Sequence, residues 1–167
     1  MFGGIESLPQ EMEGTRSYVI FEVGGEKYAL EVMRVQEVID VGNLTQVPGG
    51  QRALLGVLNL RGHVVPVYDL RIPFGLPIES TSGREPCVLI VESQSSSETR
   101  VEGLLVDRVS DVLEFTPEHV QPAPQLGLEK ASPFVRGVIS HQEGFLLVLD
   151  LDRVFTALAG AHNGGEI

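Results

Sequence analysis

Tryptophan is absent from the 167 residues, Tyr and Phe number 3 and 7, and 12 basic side chains face 23 acidic ones. A nucleic-acid binder built on a small barrel needs stacking aromatics and a positive surface. A chain of formal charge −11 offers neither and suits a basic protein partner better. Cysteine occurs once, as Cys87, which excludes an intrachain disulfide and a multi-thiolate zinc site and fits a reducing compartment. Its place in PCVLIV predicts a buried thiol. No apolar run reaches bilayer length, and MFGGIESLPQEMEG lacks the charged and apolar regions of an export signal. The sequence therefore predicts a soluble, cytoplasmic protein. His63, His119, His141 and His162 show no metal-ligand spacing, and no nucleophile elbow or phosphate-cradling loop occurs, so neither metal nor cofactor is expected.

What the chain has is short apolar runs bounded by turn residues, with 43% hydrophobic content to fill a core. Residues 1–16 lack periodicity and are expected to form a mobile tail. Residues 18–23 and 26–32 read as strands joined at Gly24 and Gly25. Residues 32–41 read as a short turn leading into a strand, and 49–55 as one helical turn. Residues 56–60 and 63–68 form a hairpin whose bend, at Arg61 and Gly62, puts the polar Asn59 and the charged Arg61 on display. After a polar connector at 78–86 the chain starts again. At its end Leu151, Val154, Phe155 and Leu158 follow helical spacing, with Asp150 as cap and the final AHNGGEI fraying.

The restart is a repeat. Residues 29–41 align with 103–115, pairing Leu30 with Leu104, Val32 with Val106, Arg34 with Arg108, Val35 with Val109 and Val38 with Val112. Residues 56–74 align with 137–155, pairing Gly56 with Gly137, Val57 with Val138, Val67 with Val148, Asp69 with Asp150, Leu70 with Leu151 and Phe74 with Phe155. Two copies, at about 17–77 and 86–157, predict an all-β chain in two lobes. Asp69 and Asp150 at matching places raise an enzymatic alternative, since paired carboxylates can share a proton and activate water. Asp-Leu before a turn or helix reads instead as capping, which would engage both with backbone amides.

The run GVLNLRGHVVPVYDLRIPFGLP, with YALEVMRVQEV, LLVDRVSDVLEF followed by PAP, and VLDLDRVF, closely resembles the CheW-type chemotaxis coupling family over about residues 17–157. The resemblance implies an all-β fold of two packed five-stranded SH3-like β-barrels with a short C-terminal helix, a tail at 158–167, and no catalytic activity. It further implies a cytoplasmic adaptor at membrane-associated receptor arrays, without membrane insertion. Such an adaptor binds the hairpin tip of a chemoreceptor, in a groove between the barrels, and the regulatory domain of a CheA-type histidine kinase. Carried over by motif, Arg61 faces the groove, Asn59 fixes its turn, and Val35, Glu37 and Val109 line it; Gly56, Gly62 and Gly137 are structural. Without the family, Val35 and Val109 read as core, Glu37 as a solvent-facing strand residue and Arg61 as a solvated turn residue. His63, where an aliphatic is more usual, and a long hairpin loop at 93–99 depart from the family pattern.

Overall fold

The computed structural model describes residues 14–47, 53–76, 86–94, 99–122 and 132–164. The first copy supplies β1 (Arg16–Val23), β2 (Glu26–Glu31), a 3₁₀ turn at Val32–Arg34, β3 (Val35–Asp40), β4 (Thr45–Gln46), β5 (Leu54–Leu60), β6 (His63–Asp69) and α1 (Arg71–Phe74). The second supplies β7 (Cys87–Gln94), β8 (Thr99–Val106), β9 (Arg108–Phe115), β10 (Val135–His141), β11 (Gly144–Leu149) and α2 (Leu151–Gly164).

The strands form two sheets, and neither is one copy. The first runs β10-β11-β2-β1-β9 and the second β3-β7-β8-β6-β5-β4. Each copy thus gives its first two strands to one barrel and its remaining strands to the other. The registers repeat with the same fidelity: Val148 lies beside Ala29 across the parallel β11–β2 pair, as Val67 lies beside Gly103 across β6–β8. One bulge separates Val35 from Glu37 on β3, and a matching irregularity interrupts β1–β9 at Ile20 and Phe21. Closure is equivalent too. After β3 the chain bends through 41–43 and returns as β4 against β5, while after β9 it returns so that Gln121 bridges Val138 of β10.

Alternation explains the packing, because successive strand residues face opposite sides. On β1, Tyr18 and Ile20 fill the first barrel while Val19 and Phe21 face the other lobe; on β7, Val88 and Ile90 fill the second barrel while Leu89 and Val91 face inward between the two. Both strands are buried on both faces, so they read as continuous apolar runs. The shared core is bridged by aromatics: Phe74 of α1 sits 5.2 Å from Tyr28 and 5.4 Å from Phe134, ring centre to ring centre, and Tyr28 stacks on Phe21 at 5.8 Å. Leu151, Val154, Phe155 and Leu158 seat α2 on that core.

Several expectations shift. Val32 leaves β2 for the 3₁₀ turn. The helical turn foreseen at 49–55 falls mostly on residues outside the described ones, and Leu54 and Leu55 already belong to β5. Most of the 1–16 tail and of the 78–86 connector also lies outside them; within the tail, Arg16 already begins β1. α2 continues to Gly164 instead of fraying at Ala161, because the alanines and Leu158 in ALAGA favour helix continuation. Cys87 is half-buried rather than buried, since it opens β7 at the rim of the core. Burial still pushes its thiol above the usual range.

Candidate partner-binding surface

The β5–β6 hairpin turns on two left-handed residues, Arg61 at φ 52° and Gly62 at φ 86°, the combination that matches the twist of paired strands. Gly62 adopts it freely, whereas a side chain there would be strained. Asn59 Oδ1 accepts the Gly62 amide at 2.9 Å and closes the turn. Arg61, with 71% of its side chain exposed, donates through Nη2 to Glu37 Oε2 at 2.6 Å. The pair ties the hairpin tip to β3. At the matching corner of the first barrel stand Gln142, also left-handed at φ 55° and an uncharged amide in place of the guanidinium, and the carboxylate Asp111 in place of Glu37.

The structure brings Asn59, Arg61 and Glu37 together, while the two valines belong to the shared core. Val35 is buried in the shared core, and Val109, half-buried on β9, packs against that core from the other barrel. Beside the tip the hairpin shows an exposed apolar residue, Val64, directly opposite Asn59. Gly56 and Gly137 sit where strands close on themselves: a Cβ at 56 would fall on the Thr45 carbonyl oxygen, and one at 137 would lie 2.7 Å from that of Gln121.

The two repeat aspartates are committed elsewhere. Asp69 Oδ1 accepts the Arg71 amide and Nε, both at 3.0 Å, and Oδ2 accepts Nη2 at 2.9 Å. Hydrogen bonding to Asp69 holds the Arg71 guanidinium above its usual pKa. Asp150 Oδ1 accepts the Arg153 amide at 3.1 Å, and its Oδ2 faces Arg153 Nε at 3.4 Å. Each carboxylate caps its own turn and meets its own arginine, so they do not form a proton-sharing pair. Among the described residues no three His, Cys, Asp or Glu side chains converge on a metal position, and no helix is long and apolar enough to cross a membrane.

Sequence reading missed three polar features. Asp107 Oδ2 accepts the Gly24 amide at 2.9 Å, pinning the β1–β2 turn to the start of β9. Arg34 donates to the Glu92 carbonyl at 3.0 Å and to Asp152 Oδ1 at 2.9 Å, fastening the entry of β3 to β7 and α2. Glu102 is buried on β8 against Arg100. The signal for Glu102 was available, since residues 102, 104 and 106 share a face and two of them are apolar.

Residues 17–159 match the family model described as CheW-like domain. The chain is 32% identical over 153 residues to the chemotaxis protein CheW of Klebsiella aerogenes, covering 92% of this chain and 89% of that one. It is 33% identical over 142 residues to CheW of Rhizobium meliloti, covering 85% and 88%. It is 29% identical over 145 residues to the protein PilI of Pseudomonas aeruginosa, covering 84% and 77%. Among solved structures, the scaffolding protein CheW of Thermoanaerobacter tengcongensis superposes with a TM-score of 0.68 at 26% identity, over 80% of this chain and 88% of that one. With a family match spanning both barrels and α2 as far as residue 159, this chain belongs to the CheW-like domain family of chemotaxis scaffold proteins.

Proposed function

We propose that this chain is a non-catalytic, cytoplasmic adaptor that couples the signalling tips of chemoreceptors to a CheA-type histidine kinase. The observation that carries the reading is the Arg61–Glu37 pair: a charged hairpin tip held in one geometry by Asn59 and by the neighbouring strand. Charge fixed on a rigid element sets the register of an incoming helix, while apolar area supplies affinity. Exposed Val64 and half-buried Val109 supply such area on the two barrels. Val35 acts from below, by setting the height of β3. Nucleic acid and membrane insertion have no part in this function, in keeping with a charge of −11.

The test is a calorimetric titration of the full chain against the kinase regulatory domain and, separately, against a receptor hairpin. Saturable binding to both is expected. Arg61→Glu is expected to weaken receptor binding while circular dichroism and melting stay near the parent values. Unchanged affinity in that folded variant would count decisively against the role of Arg61, and absence of binding to either partner would remove the adaptor reading itself.

A further inference from the structure

Glu102 is 2% exposed in the interior between the barrels. Its Oε2 accepts Arg100 Nη2 at 2.8 Å, while Oε1 is shut off from solvent with no hydrogen-bond partner among the described residues. The Tyr68 hydroxyl of β6 is the other polar group that faces the carboxylate. Nothing in the fold demands a charge here, because the matching position of the first copy is Tyr28, stacked among Phe21 and Phe74. A buried carboxylate with one cation and one unmet oxygen sits in a place an apolar ring fills equally well.

Its position relates it to the candidate surface. Val91 of β7 pairs with Val35 on one side and with Glu102 on the other, so all three lie in one row across the sheet. Arg100 lies two residues before Glu102 on β8 and so shares its face. Arg100, with 39% of its side chain exposed, stands where that inter-barrel face meets solvent.

We propose that Glu102 is a buried proton switch that holds Arg100 on the inter-barrel face when ionised and releases it to solvent at the edge of that face when protonated. The regulatory consequence rests on the reading of that face as the docking surface, since the state of Arg100 sets the charge the face shows. The physics is simple. Burial drives the Glu102 carboxyl above its usual range, opposed by the Arg100 charge and hydrogen bond and by Tyr68. The same burial, with Glu102 beside it, raises the Tyr68 phenol, which stays protonated. Once Glu102 takes a proton, the attraction holding Arg100 is gone and solvent is the better partner for its guanidinium.

The experiment follows the Glu102 carboxyl carbon and the Arg100 Nε–H by NMR against pH in the free, full chain. Both are expected to move with one midpoint above the ordinary glutamate value of about 4.3. Glu102→Gln is expected to leave Arg100 in its released state at every pH. Tyr68→Phe, which keeps the ring, is expected to move the midpoint upward by removing an opposing donor. Titration of Glu102 in the ordinary range, or an Arg100 signal unmoved as Glu102 titrates, would overturn the proposal. Because both nuclei are read without a partner, failure of the switch shows here, and failure of the docking reading shows only in the partner titration.

Discussion

Gly56 lies against the carbonyl of Thr45 more closely than any side chain could: a Cβ built on it meets the Thr45 oxygen. That contact is where β4 closes on β5. Gly56→Ala must therefore move backbone, and is expected to destabilise the fold by about 1–3 kcal/mol, lowering Tm by roughly 2–4 °C for each kcal/mol. Gly144→Ala is the control, since nothing lies within 4 Å of a Cβ there; its effect is expected to stay within about 0.5 kcal/mol. Thermal melts of the two variants decide it.

The Arg61–Glu37 pair makes separate predictions for stability and for binding. With 71% of the Arg61 side chain exposed, the ion pair contributes about 0.2–1 kcal/mol to stability. Partner binding is expected to fall at least about tenfold in Arg61→Glu, or about 1.4 kcal/mol. The charge-swapped double variant, Arg61→Glu with Glu37→Arg, is expected to recover stability without recovering binding. A double-mutant cycle measured by denaturation and by calorimetry separates the two.

The repeat aspartates are expected to differ sharply in worth. Asp69 is buried and joined in a fork to Arg71, whose side chain is 11% exposed, and removing one partner of a buried pair costs about 3–5 kcal/mol. Asp107, which adds to the field on Arg71, places Asp69→Ala at the lower end. Asp150→Ala removes a partly exposed helix cap and is expected to cost about 0.5–2 kcal/mol. Urea unfolding of both variants tests the order.

Acid titration is expected to single out Glu102. Its folded pKa is raised, so the bound proton stabilises the native state: the contribution is complete below the unfolded value and is lost as pH rises through the folded one. Glu102→Gln, which stays neutral, is expected to gain on the parent protein as pH rises through that window. Paired stability curves across the acid range would show the crossing, and parallel curves would refute it.

The repeat, the hairpins and the capping helix were legible because they rest on alternation, glycine turns and helical spacing, which are local. The partition of strands was not. The register of Val67 beside Gly103 and of Val148 beside Ala29 satisfies the same alternation whichever lobe owns β1 and β2. At the candidate surface, NLRG announced the turn, the Asn59 clasp and the exposed guanidinium. Glu37 came only from the family resemblance, as a residue lining the groove, and its ion pair with Arg61 was not foreseen, because a contact between residues 24 apart leaves no mark in either segment. Glu102 was overlooked since a lone glutamate in a strand usually faces water, and only its shared face with Leu104 and Val106 argues otherwise.

The exchange of strands between copies also orders events in time. β1 and β2 are made before β9 and β11, which flank them and come from the second copy. Until those arrive, β1 and β2 have two open edges and no barrel to enter. Neither half of the chain is a folding unit, and a product truncated before β7 leaves both sheets unfinished. Pairing over such sequence distances makes assembly slow and nascent chains prone to stick to one another. The first sheet closes only once β9 and β11 stand beside β1 and β2.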